Sequence, residues 1–215
     1  MTTLKIYNKK GLGGCMSLLE SMNKRRSIYA LGKFDKNTDN GSNYASEIKK
    51  VHSLVEEVTE LTPDAFNMKS ARVLIVYGKK HDELWDTIYE AFDGKVNREK
   101  IDMFKNAQGT ILYFTDTEVV KGLEEAYPLY AQNFSHWTSQ ALGMLEHNVW
   151  TLLAEHNVGA NIQHYNPVID LKVQELFNIP KTWKLDAQMP FGKILAPAEA
   201  KEKEDISKRV KLISE

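Results

Sequence analysis

The segment FSHWTSQALGMLEHNVWTLLAEH occupies residues 134–156 of this chain. Its apolar residues recur at positions 134, 137, 141, 145, 149 and 152, which is the spacing of one helix face. Leu142, Met144, Trp150 and Leu153 widen that apolar stripe beyond a single face. A helix of about 23 residues with this pattern is buried on more than one side, so we expect it at the centre of a domain or at a subunit interface.

Continuous apolar runs around this helix predict the strands of a sheet. The runs ARVLIVY, residues 71–77, and GTILYFT, residues 109–115, are rich in β-branched and aromatic side chains and are typical of buried strands. Residues 159–163 and 183–189 are two further strand candidates. Helical spacing occurs in a short segment from Met16 and in segments 48–58, 84–92, 118–125 and 167–177. The chain begins with helices and continues with strands that alternate with helices. This order indicates an α+β or three-layer α/β domain.

The composition is that of an ordinary globular protein. The 215 residues include 28 Lys+Arg and 29 Asp+Glu, and this balance argues against a general nucleic-acid-binding protein. The single cysteine, Cys15, excludes an internal disulfide and a cysteine-based zinc cluster, and it fits a reducing, cytoplasmic location. No apolar run approaches the roughly 18 residues of a membrane span. We expect residues 1–15 to be an arm outside the fold and residues 16–215 to form a single domain.

Several common catalytic and metal-binding patterns are missing from the sequence. The glycine-rich stretch 11–14 follows no strand, so a Rossmann cofactor loop is not supported, and there is no P-loop or GxSxG elbow. His136 and His147 lie roughly 16 Å apart along a helix that rises ~1.5 Å per residue. His147 and His156 point to opposite helix faces. We therefore expect no metal site, because zinc needs three or four converging ligands.

Arg25-Arg26-Ser27, at the end of the first predicted helix, is a candidate phosphate site. Two guanidinium forks and a hydroxyl can hold a phosphate through charge-assisted hydrogen bonds. The alternative is that these cations only complement the dipole at a helix C-terminus. The sequence physics alone leaves both interpretations open.

Three other segments carry groups that suit a planar heterocyclic ligand. Asn67, in the polar turn 62–67, can offer a donor and an acceptor to one ring edge, although the turn is equally explained as a simple connection. Segment 159–167 places amide, imidazole and phenol groups after a small-residue strand, where ligand sites concentrate. An aromatic cluster could cover a planar ligand or form plain core: Tyr127, Tyr130, Phe134 and Trp137.

Read in order, five segments of the chain resemble the FMN-dependent nitroreductase family. Within that family they are most similar to the short subgroup of fatty-acid-repression-mutant-like nitroreductases. The resemblance runs from about Met16 to Ala198. The segments are RRSIYALGK (25–33), PDAFN (63–67), LYAQNFSHW (129–137), QHYNP (163–167) and QMPFG (188–192).

This resemblance implies a fold and an assembly. The expected fold is an α+β three-layer sandwich, in which helices flank a central, mainly antiparallel sheet. The expected assembly is an intertwined homodimer with two FMN sites built between the subunits. A long helix that is apolar on more than one face suits such an interface.

The resemblance also implies roles for individual residues. Arg25, Arg26 and Ser27 would grip the flavin phosphate and ribityl chain, with Lys193 as a second phosphate cation. Asn67 would come from the partner subunit and face the pyrimidine or ribityl side. The last group would lie along the isoalloxazine near its reactive nitrogen: Gln163, His164 and Tyr165.

Two positions depart from the family pattern. The usual Asn-Ser-Gln is Asn67-Met68-Lys69 here, so Lys69 replaces an amide and changes the charge near the flavin ring. Ser135 stands where the family usually has proline, while Trp137 is kept. Both changes bear on substrate preference and leave the phosphate grip intact.

The function that the resemblance implies is that of an oxidoreductase. Such an enzyme would transfer electrons from NADH or NADPH through FMN to nitroaromatic or quinone-type acceptors, by ping-pong hydride transfer. His164 and Tyr165 are candidate proton donors, with water as the alternative. A second hypothesis is a flavin-binding regulatory protein of lipid or oxidative-stress response with little turnover. A third is a ligand-free helical interaction module.

Overall fold

A computed structural model describes residues 17–35, 44–202 and 204–214 of the chain. Residues 1–15, which we predicted to form an arm, lie outside the described residues. Seven α-helices occur in the part that is described. They are α1 Leu18–Lys24, α2 Tyr44–Leu61, α3 Lys79–Ala91, α4 Arg98–Lys105, α5 Thr117–Ala126, α6 Ala131–Glu155 and α7 Asp170–Phe177.

Five strands of the described residues form one antiparallel sheet. The strands are β1 Leu31–Gly32, β2 Ala71–Tyr77, β3 Gly109–Asp116, β4 Val158–Ala160 and β5 Trp183–Ile194. Their spatial order is β1-β5-β3-β2, and β4 pairs with the C-terminal part of β5. The sheet has β2 at one edge and β4 at the other, since Phe191 of β5 lies between β3 and β4 and Lys193 lies between β1 and β4.

Helices cover both faces of this sheet. On one face, Ile111 and Tyr113 of β3 pack with buried residues of α2 and α6, among them Val55 and Leu145. On the other face, alternate β3 residues such as Leu112 pack with buried residues of α3, α4 and α7. Successive strand side chains point to opposite faces, so a strand covered on both sides must be apolar throughout. These contacts confirm the predicted α+β, three-layer arrangement with a mainly antiparallel sheet.

The central helix α6 is buried over most of its length, as its apolar pattern predicts. It begins at Ala131, three residues before the predicted start, and ends at Glu155. Phe134, Val149 and Leu153 are fully buried in it. Met144 is 41% exposed, so the apolar surface of α6 extends beyond what this chain itself covers.

The structure corrects several sequence expectations. Strand β2 is an edge strand among the strands that the structure describes, and its residues 71–75 are only half-buried because β3 covers one side of it there. Helix α4 was not predicted, since only Ile101 and Phe104 of its eight residues are buried and its apolar signal is short. Strand β1 was missed because it has two residues. Strand β5 continues past the predicted end at Met189 to Ile194, where it pairs with β4 and β1.

Candidate functional site

The segment that follows α1 is fixed against the β4 edge of the sheet. A capping box starts α1, because the Ser17 side chain accepts from the Glu20 amide and the Glu20 carboxylate accepts from the Ser17 amide. The helix ends at Lys24, and the backbone becomes extended at Arg25. Ser27 then forms a parallel bridge with Ala160 of β4, and the Ile28 amide donates to the Ala160 carbonyl at 3.0 Å. The predicted phosphate residues thus stand beside β4.

The two adjacent arginines have different surroundings. The Arg25 guanidinium carbon lies 4.3 Å from the ring centroid of Trp150, on α6. Partial burial, followed by the neighbouring charge of Arg26, lowers the pKa of Arg25. Arg26 donates from one terminal nitrogen to the Glu199 carbonyl at 2.6 Å. Arg25 therefore rests on an aromatic face, whereas Arg26 ties the C-terminal segment to the same region.

The loop after β4 is held by a chain of amide hydrogen bonds. Buried Asn161 donates to the Ile28 carbonyl at 2.8 Å and accepts from the Gln163 side chain at 2.7 Å. The backbones of Gln163 and Gln188 exchange hydrogen bonds of 2.7 and 2.9 Å. The Gln188 side chain accepts from the Tyr165 amide at 2.8 Å. This network links the loop that holds Gln163 to the Ser27–Ile28 segment.

Lys193 reaches the same edge from β5. Its backbone is in register with Val158 of β4 and with Gly32 of β1. The neighbouring Gly192 has no space for a side chain, because a Cβ there would meet the Gly32 carbonyl oxygen. The Lys193 ammonium forms an exposed ion pair with Asp35 at 2.6 Å. An exposed pair of this kind is weak, so a stronger anion can compete for the lysine.

Asn67 and Lys69 lie at the other edge of the sheet. They belong to the turn before β2, and both have left-handed backbone angles, with φ of 51°. The Lys69 amide donates to the Asp64 carboxylate at 2.6 Å, which closes this turn. Both residues line an open groove of about 880 Å³ between α2 and β2. Within one chain, the structure brings Arg25, Ser27, Gln163 and Lys193 to one edge and leaves Asn67 and Lys69 at the opposite edge.

The predicted aromatic cluster forms next to Asn67, and Phe66 joins it. The Phe66 ring stacks on Trp137 at 5.6 Å with an interplanar angle of 19°. It also lies 4.9 Å from Tyr127 and 5.1 Å from Phe134. Tyr127 and Tyr130 are about half exposed, so the cluster has an open aromatic face. Sequence spacing did not place Phe66 there, although it belongs to the PDAFN segment.

The two candidate proton donors differ in environment. The Tyr165 ring packs edge-on against Trp85 at 5.9 Å and Phe92 at 5.6 Å. Burial raises the pKa of the Tyr165 phenol, which makes it a weaker acid. His164 is exposed. Of the two, only His164 is freely accessible to water.

Neither a metal site nor a membrane-spanning helix is found in the described ranges 17–35, 44–202 and 204–214. No group of three or more His, Cys, Asp and Glu side chains is arranged to hold a metal ion there. Nor does any helix in those ranges have the length and apolar character to cross a membrane.

Comparison with known proteins identifies the family. The model of the nitroreductase family matches residues 46–193. The yeast protein HBN1 of Saccharomyces cerevisiae is 30% identical over 185 residues, which is 83% of this chain and 89% of HBN1. The nitroreductase FRM2 of the same yeast is 27% identical, with 85% of this chain and 91% of FRM2 covered. The chain therefore belongs to the nitroreductase family, and its relatives agree with the subgroup inferred from the motifs.

Solved structures support the same assignment. Nitroreductase CinD from Lactococcus lactis, in complex with chloramphenicol, has a TM-score of 0.83 and 41% identity, and covers 92% of this chain and 100% of its own. CinD structures with nicotinic acid and with 4-nitrophenol match with TM-scores of 0.82 and 0.80. An FMN complex from Exiguobacterium sibiricum shares the fold at a TM-score of 0.67 and 14% identity, with 93% of this chain and 98% of that chain covered. The protein is accordingly an oxidoreductase of the nitroreductase type.

Proposed function

We propose that this protein binds FMN and transfers electrons from NADH or NADPH to nitroaromatic or quinone-type acceptors. The observation that carries the proposal is the convergence of Arg25, Ser27, Gln163 and Lys193 at the β4 edge of the sheet. The two cations and the hydroxyl suit a phosphate ester, and the Gln163 amide suits the edge of a heterocyclic ring.

The donor set at this edge suits a phosphate ester. Arg25 and Lys193 supply positive charge from two different elements, and Ser27 supplies a hydroxyl from the segment that pairs with β4. Guanidinium and ammonium groups make their strongest hydrogen bonds to anionic oxygens. One terminal nitrogen of Arg26 already donates to the Glu199 carbonyl. Arg26 would therefore bind the phosphate with its other guanidinium N–H groups.

The loop 163–165 would position the flavin ring. Its hydrogen bonds to Gln188 and Asn161 hold the backbone in place before any ligand arrives. Bound FMN would supply a two-electron carrier that accepts and donates hydride, while the protein contributes position and electrostatics. Lys69, contributed with Asn67 by a partner chain, would add positive charge near the ring.

The electron donor and the electron acceptor would bind one after the other at the same place beside the flavin, which predicts ping-pong kinetics. CinD, at 41% identity, has been solved with nicotinic acid, with 4-nitrophenol and with chloramphenicol. These three ligands resemble a nicotinamide donor and two nitroaromatic acceptors. Because the Tyr165 phenol is half-buried and its pKa is raised, we assign proton supply to water or to exposed His164.

The proposed active unit is a homodimer. Arg25 and Asn67 lie at opposite edges of one sheet, so a site that uses both needs two chains. The C-terminal segment suits such an assembly, since Leu212 and Ile213 are 94% and 92% exposed. The groove beside β2 is lined by apolar residues such as Val55 and Ile75, and it would receive an apolar tail from a partner.

Anaerobic stopped-flow absorption tests the proposed function. The protein is loaded with FMN, mixed with NADH or NADPH, and then mixed with 4-nitrophenol or a quinone. We expect the visible flavin band to bleach within seconds and to return when the acceptor is added. Bleaching over many minutes without reoxidation would favour the regulatory hypothesis, and failure to bind FMN at all would favour the ligand-free module.

A further inference from the structure

Trp150 of α6 contacts both the side chain and the backbone of the segment that follows α1. Its indole ring lies under the Arg25 guanidinium, 4.3 Å from ring centroid to Cζ. Its Nε1 donates to the Ala160 carbonyl at 3.1 Å. The same carbonyl accepts from the Ile28 amide at 3.0 Å. One side chain thus links α6, β4 and the Arg25–Ile28 segment.

The aromatic contact leaves the charge of Arg25 available. Among residues 17–35, 44–202 and 204–214, Arg25 forms no ion pair with a carboxylate. A ring face attracts a guanidinium through its quadrupole and does not occupy the N–H donors, whereas a carboxylate neutralises the charge and uses them. Lys193 illustrates the other situation, because Asp35 already binds it at 2.6 Å.

We propose that Trp150 is a positioning residue for the phosphate group of FMN, which it serves by holding the Arg25 guanidinium over its ring. The inference rests on the proposed FMN binding and adds a residue whose sequence pattern indicated only a core position. The ring fixes the guanidinium, and the indole N–H fixes the carbonyl that orders the segment. The phosphate then meets a preorganised cation instead of a mobile one.

Binding measurements with FMN and riboflavin separate this role from simple packing. Riboflavin lacks the phosphate, so loss of a phosphate contact weakens FMN alone. We expect Trp150→Leu to weaken FMN about 5- to 30-fold, the range of a partly buried cation–π contact, and riboflavin by less than about 2-fold. Trp150→Phe keeps a ring and should restore most of the FMN affinity. Equal weakening of both ligands, or no weakening of either, would overturn the proposal.

A matched control exists elsewhere in the chain. Arg98 lies 4.8 Å over the Tyr89 ring, a comparable contact on α3 and α4. Tyr89→Leu should leave the affinities for FMN and riboflavin unchanged. If the parent protein binds neither ligand, the proposed function itself fails. If the parent binds FMN and the Trp150 variants keep the parental ratio of FMN affinity to riboflavin affinity, only the proposed role of Trp150 fails.

Fluorinated tryptophan decides the matter should Trp150→Leu fail to fold. Site-specific incorporation of mono-, di- and trifluorotryptophan at position 150 keeps the shape and the N–H while it weakens the ring quadrupole. We expect FMN affinity to fall stepwise with each added fluorine. An affinity that does not change along this series contradicts the proposal, because a packing role depends on shape alone.

Discussion

Arg25, Arg26 and Lys193 place three cations near β4, but they differ in what already binds them. Arg26 donates to a backbone carbonyl, and Lys193 pairs with the carboxylate of Asp35. Arg25 rests on an aromatic ring and keeps its charge for an incoming anion. At the residue scale, Arg25 should therefore contribute most to phosphate binding.

Arg25→Ala should weaken FMN binding by about 1.5–3 kcal/mol, the usual contribution of a charged hydrogen bond. The reason is that, among the described residues, the neighbouring cations Arg26 and Lys193 already have polar partners. Flavin fluorescence titration measures the change, and Arg98→Ala on α4 provides the control. If Arg25→Ala binds FMN as tightly as the parent does, Arg25 does not contact the phosphate.

Glu146, on α6, gives the protein a pH-dependent stability. Burial, followed by the nearby charge of Asp186, raises the pKa of Glu146 from 4.5 to about 7. Between these two values the folded protein keeps a proton that the unfolded chain loses. Stability therefore falls as pH rises through this window, by about 3 kcal/mol in total.

Glu146→Gln should remove this pH dependence, because the amide does not ionise. The variant should match the parent near pH 4.5 and exceed its free energy of unfolding by about 3 kcal/mol above pH 8. Urea unfolding at fixed protein and FMN concentrations measures both proteins, with Glu175→Gln, on the exposed side of α7, as the control. Parallel pH profiles for parent and Glu146→Gln would contradict the assignment.

At the scale of elements, the turn before β2 and the start of α6 build one aromatic surface. Phe66 holds a left-handed backbone conformation, with φ of 58°, while its ring packs between Tyr127 and Trp137. Non-glycine residues adopt this conformation only where the surroundings enforce it. The ring contacts of Phe66 thus hold the loop in this conformation, next to which Asn67 follows in the chain.

Phe66→Ala should raise KM for nitroaromatic acceptors about 2- to 10-fold, because one aromatic contact contributes about 0.5–1.5 kcal/mol. The KM for NADPH should rise by a similar factor, since the donor and the acceptor bind in turn at the same place. Steady-state kinetics with 4-nitrophenol gives the comparison. Leu129→Ala is the control, as Leu129 is 92% exposed in the same region. Equal KM values in parent and Phe66→Ala would leave the cluster as core only.

Elements with a long local pattern could be predicted from the sequence, and the others could not. The core spacing of α6 and the unbroken apolar run of β3 are visible in the chain itself. Whether a strand is central or at an edge is a property of its neighbours, and this is why β2 was predicted to be more buried than it is. Helix α4 buries too few side chains to give a periodic signal.

The same distinction applies to the candidate site. The Arg25-Arg26-Ser27 motif and Gln163 could be identified in the sequence because their residue types suit a phosphate and a heterocycle. Their meeting at β4 depends on the Ser27–Ala160 bridge, which joins segments distant in the chain. The position of Trp150 beneath Arg25 is likewise a tertiary contact, and in the sequence Trp150 is one more apolar residue of α6.

At the scale of the whole molecule, the sheet separates two halves of the proposed flavin site. Arg25 lies beside β4 at one edge, and Asn67 precedes β2 at the other. If one flavin needs both residues, they must come from different chains. In a two-fold symmetric dimer each site then takes Arg25 from one protomer and Asn67 from its partner.

Mixed dimers test this arrangement directly. The two variants are Arg25→Ala and Asn67→Gly, where glycine is chosen because residue 67 has a positive φ that alanine would strain. Each homodimer should bind FMN weakly at both sites. A heterodimer of the two, isolated with two different affinity tags, should regain one site of parental affinity, since one of its sites combines intact Arg25 with intact Asn67.

The reciprocal heterodimer should behave in the opposite way. It pairs a parent chain with a chain that carries both substitutions, so a shared site always lacks either Arg25 or Asn67. We expect both of its sites to bind FMN weakly. If each site instead belonged to a single chain, this reciprocal heterodimer would keep one intact site and the first heterodimer would have none. FMN titration of the two heterodimers therefore distinguishes a site shared between chains from a site within one chain, with every substitution present in both samples.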